Sequence, residues 1–277
     1  MGALRHWVPP STARCTLTDS LCHFARVNVA LSVASYEEED TASAMPEGVT
    51  FGKTFGGAAG QGHAVFAFSN PEEPVCHVAF RGTDSREDAE VDIRAMKKID
   101  CHDANGKVFG RCGRGFYEMV ESLWALGVRD EILSLVASGK CPGGIHLTGH
   151  SLGGAVASVM AGALQSEAPE TFHLYYMTVH TFGEPRSVDD ETANRLHQRI
   201  NKLRWVNWGD PVPAALGDAF GFRHYGTARQ IYEVGDEDFT FTVERQDYTT
   251  YTLFPTKVLA HGSGVYLERL AFCGGAE

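Results

Sequence analysis

Gly149-His150-Ser151-Leu152-Gly153 sets a serine between two glycines in the G-x-S-x-G pattern, where a β-rich run gives way to a helix-forming one. A serine hydroxyl is a weak nucleophile until a base takes its proton, and a sharp strand-to-helix turn lifts it clear of the backbone where a base can reach it. The turn forces strained backbone angles, and glycines at 149 and 153 keep side chains away where the chain doubles back. The backbone N–H of Leu152 opens the following helix and directs its positive end at a developing oxyanion. These residues predict attack of Ser151 on a carbonyl carbon, with Leu152 as an oxyanion donor.

On such a turn the acid, and then the histidine, follow the serine in the chain. His173 and His180 lie beside or within the strand directly after the nucleophile helix, which leaves little room for an intervening acid. His197 shares a charged helix with Arg195, Gln198 and Arg199 and reads as part of a solvated face. His224 and His261 remain as bases. The acid is expected at a strand end, and Asp210 follows the strand ending at Trp208 and precedes the rigid Pro211-Val212-Pro213. Asp189 and Asp190 open a helix and read as caps; Asp218 is the other rival.

The elements that must position these groups alternate. Strands are expected at 144–149, 174–182 and 202–208, with helices at 152–164 and 189–200, which predicts crossover connections and a mostly parallel central sheet flanked by helices. Upstream, 20–36 has helical spacing, and 62–69 and 75–81 read as a strand pair. Residues 116–136 read as one long helix, with Gly127 the point at which it would divide if there were two. Downstream, 230–234 and 239–243 read as strands, and a last helix follows His261.

The 277 residues, 43% of them hydrophobic, suffice for a full core, and the absence of a linker or repeat predicts one domain over 1–277. A net charge of −11 with no basic cluster beyond Lys97-Lys98 excludes nucleic acid as the expected partner. The longest uncharged run, 141–166, is interrupted by Pro142 and Gly-Gly pairs, so no membrane span is expected. The first residues lack the apolar stretch of a signal peptide, so the chain is expected either to stay inside the cell or to have lost a leader. No two of the seven cysteines have C-x₂-C spacing, and no metal or organic cofactor is called for. Cys76, in an apolar strand, reads as an inert buried thiol; Cys101 and Cys112 flank a hairpin-like segment and are the local disulfide pair.

Taken together, the motifs resemble the class 3 lipase family of the α/β hydrolases, the group of the fungal triacylglycerol lipases and feruloyl esterases. Thr148-Gly149-His150-Ser151-Leu152-Gly153-Gly154-Ala155 is similar to its elbow and Phe80-Arg81-Gly82-Thr83 to its oxyanion strand, with Asp88 and Asp92 downstream. Gly115-Phe116-Tyr117 resembles the start of its long helix, and Thr181-Phe182-Gly183-Glu184-Pro185-Arg186 the strand and turn after the elbow, with Glu184 where Gln is more usual. Asn207, Asp210, Val212 and Pro213 resemble the acid loop, and His224-Tyr225-Gly226 a structural motif after it.

The resemblance implies an α/β-hydrolase fold and a carboxylic ester hydrolase acting on acylglycerols, or within the class on feruloyl or short acyl esters, at a lipid–water interface. It implies Ser151 as nucleophile, Asp210 as acid and His261, before a helix bearing Tyr266, as base; His224 becomes structural and Thr83 the second oxyanion donor. The lid segment departs from the family: Ala89 stands where Trp is common, and Asp84–Glu90 has five charged residues and no large apolar one, so a weak cover is expected. Acyl transfer to another alcohol, or a scaffold that only binds ligand, are the rival readings.

Overall fold

The computed structural model describes residues 19–37, 40–57, 62–82, 97–215, 220–234, 238–244 and 259–273. Thr83, Asp218 and the lid segment through Met96 lie outside them. The elements run in the order α1 (Asp19–Ala34), β1 (Val49–Gly56), β2 (His63–Ser69), β3 (Val75–Phe80), β4 (Lys98–His102), β5 (Val108–Gly113), α2 (Arg114–Ala125) and α3 (Val128–Ala137). They continue through β6 (Ile145–His150), α4 (Leu152–Glu167), β7 (Met177–Phe182), α5 (Asp190–His197), β8 (Asn201–Asn207), β9 (Thr227–Val234), β10 (Asp238–Glu244) and α6 (Ser263–Ala271).

Eight strands form one sheet in the order β1-β2-β3-β6-β7-β8-β9-β10, parallel from β3 to β9 and antiparallel at both edges; β4 and β5 make a separate hairpin. This is the mostly parallel central sheet that the alternating pattern predicts, in the architecture that the family resemblance implies. The central strands are buried on both faces, and their alternate residues divide between two layers. Val78, Phe80, Leu147 and Val179 join the core that holds α2, α3 and α4. His77, Ala79, His146, Thr148 and His180 point to the opposite side, where α1 packs. Every residue of α4 from Gly153 to Gln165 is buried, which its run of Gly, Ala and Ser allows by letting backbones approach closely.

Three expectations need correction. The 116–136 run is two helices, because Gly127 takes φ 94° and closes α2 while α3 begins beyond it, with Asp130 and Glu131 favourably placed in its first turn. The strand expected from Leu174 starts at Met177, since the N–H groups of Tyr176 and Met177 both donate to His173 O and hold a turn there. Cys76 is not a free thiol: it is bonded to Cys141, alongside Cys22–Cys273 and the expected Cys101–Cys112. β1 had no place in the sequence reading. Among the described residues no helix is long and apolar enough to cross a membrane.

Candidate active site

β6 ends at His150 and α4 begins at Leu152, so Ser151 occupies the turn between them, with φ 56° and ψ −127°. That conformation is rare for a residue with a side chain, and its surroundings hold it. The Ser151 N–H donates to Phe182 O on β7 at 2.9 Å, and Ser151 O accepts from the Gly154 N–H at 3.0 Å. Glycine is obligatory at 149 and 153, because a Cβ at either would collide with backbone, that of Gly153 or of Phe80. Leu152 is the first residue of α4, and a backbone N–H at that position has no intrahelical acceptor, which makes it the kind of donor an oxyanion takes up.

Three sequence-distant side chains converge on this turn. His261 Nε2 lies 2.9 Å from Ser151 Oγ, and His261 Nδ1 lies 3.0 Å from both carboxylate oxygens of Asp210. Asp210 is fully buried; Oδ1 also accepts from the Val212 N–H at 2.9 Å and Oδ2 from the Tyr266 hydroxyl at 2.6 Å. Because the carboxylate accepts from Nδ1–H, Nε2 is left as the acceptor facing the serine. Asn207, at the end of β8, fixes the base loop: its Nδ2 donates to Ala260 O at 2.9 Å, and its N–H donates to the Tyr266 oxygen at 3.0 Å. Gly183, at φ 61°, leaves the space that the Asp210–His261 pair occupies, since a Cβ there would come 2.8 Å from Asp210 Oδ2 and 3.0 Å from His261 Nδ1.

A family model described as lipase (class 3) matches residues 77–220, just over half of the chain. The chain belongs to the class 3 lipase family. A 98-residue stretch is 36% identical to the secreted mono- and diacylglycerol lipase 1 of Fusarium solani, covering 34% of this chain and 27% of that protein, so little over a quarter of that relative's length is matched. Among solved structures, Rhizomucor miehei triacylglyceride lipase superposes with a TM-score of 0.72 at 23% identity, over 88% of this chain and 94% of the other. Lipase II from Rhizopus niveus gives 0.70 at 21% identity, over 88% and 94%. At these identities the likeness is one of fold.

Within this member of the class 3 lipase family, Ser151, Asp210 and His261 are brought together and His224 is not. His224 Nε2–H donates to Pro213 O at 2.8 Å in the turn after Asp210, and burial, with Arg204, Arg186 and Lys202 nearby, pushes its pKa well below the usual imidazole range. Asp189 caps α5 by accepting from the Thr192 N–H, and the exposed His197 accepts from the Gly226 N–H.

Two features escaped the sequence. Glu184 is buried and accepts from Ser158 on α4 (2.8 Å), Thr181 on β7 (2.7 Å) and Lys202 on β8 (2.8 Å). Burial lowers the Lys202 pKa to about 8 despite that partner. His150, read only as a filler of the G-x-S-x-G pattern, lies against His261 and donates to its carbonyl.

Proposed function

We propose that this protein is a carboxylic ester hydrolase, a lipase that acts on acylglycerols through Ser151, His261 and Asp210. One observation carries the reading: a continuous line of hydrogen bonds runs from Ser151 Oγ through His261 to a fully buried carboxylate, on a strand-to-helix turn of a class 3 lipase chain. The acylglycerol class draws support from the names of the relatives, a mono- and diacylglycerol lipase and a triacylglyceride lipase.

Ser151 Oγ attacks the ester carbonyl carbon while His261 Nε2 takes its proton. The carbonyl electron pair moves onto oxygen, to be received by the Leu152 N–H and, as the family resemblance implies, by Thr83. Collapse expels the alcohol oxygen, which takes the proton back from His261, and leaves Ser151 acylated. Water, deprotonated by His261, repeats the sequence on the acyl-enzyme and releases the acid. Asp210 remains ionised throughout; it fixes the ring and stabilises the imidazolium. Three disulfides suit maturation in an oxidising compartment, consistent with secretion.

The test is a series of p-nitrophenyl esters from acetyl to palmitoyl beside mono-, di- and triacylglycerols, each with wild type and Ser151→Ala. Hydrolysis of acylglycerols by wild type, reduced at least about 10⁴-fold in the variant, is expected. Turnover of short or feruloyl esters alone would correct the substrate class, and turnover that survives Ser151→Ala would reject the mechanism.

A further inference from the structure

Resting on the ester-hydrolase reading, we propose that Tyr36 is a positioning residue: its hydroxyl donates to His150 Nδ1 and keeps the imidazole that lies against His261 neutral. His150 Nε2 is 2.6 Å from His261 O, and a carbonyl only accepts, so Nε2 carries a proton. The other nitrogen, Nδ1, is 3.1 Å from the Tyr36 hydroxyl oxygen. A tyrosine donating there leaves a neutral ring; the reverse arrangement, Nδ1–H to the tyrosine oxygen, requires an imidazolium.

The choice matters because of where the ring lies. His150 is buried, and its centroid is 4.7 Å from that of His261 with 33° between the planes. In each half of turnover His261 must itself become an imidazolium. A cation already in the adjacent ring opposes that charge as it forms and weakens the base. Among the described residues, the titratable groups shown against His150 are Tyr36 after α1 and His261 and Tyr266 from the C-terminal segment, with Asp210 behind His261, and Arg81 follows the neighbouring strand β3. Tyr36 also meets the oxyanion strand: a Cβ at Gly82 would strike its hydroxyl and come 2.7 Å from His150 O. Tyr36 therefore packs against both His150 and Gly82 without itself belonging to the triad.

Tyr36→Phe removes the donor and keeps the ring. Freed of its donor, His150 Nδ1 is open to a proton that the Tyr36 hydroxyl otherwise opposes, so protonation of the ring moves to higher pH than in wild type. The variant's kcat/KM on p-nitrophenyl butyrate should lie within about twofold of wild type above about pH 8 and fall progressively below it as the pH is lowered, by up to about tenfold per pH unit once His150 takes its proton. The acid limb then gains a second ionisation. Side-chain ¹⁵N NMR of the substrate-free protein gives an independent readout: His150 should keep the neutral Nε2–H form in wild type across this range and titrate in Tyr36→Phe. A variant whose loss is equal at every pH, or a wild-type His150 that titrates to the cation, would overturn the proposal. Absence of esterase activity in wild type would instead strike the ester-hydrolase reading, and the NMR signal would still report whether Tyr36 fixes the tautomer.

Discussion

Asp210 receives three donors, His261 Nδ1, the Tyr266 hydroxyl and the Val212 N–H, and this convergence separates its loop from the second histidine that follows it. His224 serves the backbone of that loop, through Pro213, instead of the serine. His261→Ala should therefore lower kcat/KM by about 10⁴ with little change in unfolding midpoint. His224→Ala should keep activity within about tenfold and lose about 1–3 kcal/mol of stability. Ester kinetics and urea unfolding on both variants check this, and the opposite order with both folded would contradict it. The residues alone left these two histidines open. What separates them is the bond from Asn207 to Ala260, which spans 53 positions and has no local signal. The elbow was legible because strand, glycines, serine and helix are consecutive. Tyr36 and Tyr266 were not legible as partners of His150 and Asp210, because those contacts cross 114 and 56 positions.

At the scale of elements, two buried polar clusters hold helices to the sheet. Glu184 joins α4, β7 and β8, and Glu184→Gln leaves the Lys202 ammonium buried against a neutral partner. A loss of about 3–5 kcal/mol is expected. Adding Lys202→Met should recover much of it, and a double-mutant cycle in urea without coupling would refute the pairing.

The other cluster lies under α1. Asn28 Nδ2 donates to Phe24 O, which orients the amide, and also to His146 Nδ1; Asn28 Oδ1 accepts from His77 Nδ1, and Trp205 Nε1–H donates to His180 Nδ1. Two of the three rings thus accept from groups that can only donate, which requires them neutral. Burial lowers His146 to about 4 and, with the neighbouring rings, holds His77 and His180 well below the ordinary value of 6.5. On unfolding, the rings take up protons that the folded protein refuses. Their stabilisation is complete above about pH 6.5 and is lost as pH falls toward 4, at about 1.4 kcal/mol per pH unit for each ring. Urea midpoints across this range should slope steeply in wild type and by about one proton less in His146→Gln; equal slopes would contradict the account. The helix over this cluster was legible from its spacing, but not the buried histidines, because the polar residues of β6 (Ile-His-Leu-Thr-Gly-His) and β7 (Met-Thr-Val-His-Thr-Phe) carry no sign that they meet polar groups of α1 instead of water.

Across the whole molecule, Cys22–Cys273 links the first described helix to the residues after the last, 251 positions apart, and Cys101–Cys112 closes only the hairpin, 11 positions apart. Chain entropy then favours the longer link, about 5 kcal/mol against about 3. Removing Cys22 and Cys273 together should lower the thermal midpoint more than removing Cys101 and Cys112, and differential scanning calorimetry that ranks them in reverse would refute the expectation. Local spacing made the short bridge legible. The apolar strand around Cys76 hid a partner 65 positions away.

The central claim is that Ser151, activated by His261, is the nucleophile. The most direct measurement is covalent labelling with diethyl p-nitrophenyl phosphate, located by peptide mass mapping. The account predicts one diethylphosphoryl group per chain, on Ser151, formed with loss of esterase activity and greatly slowed in His261→Ala. Complete inhibition with the label on another residue, or an unlabelled Ser151 in fully active protein after prolonged exposure, would contradict it.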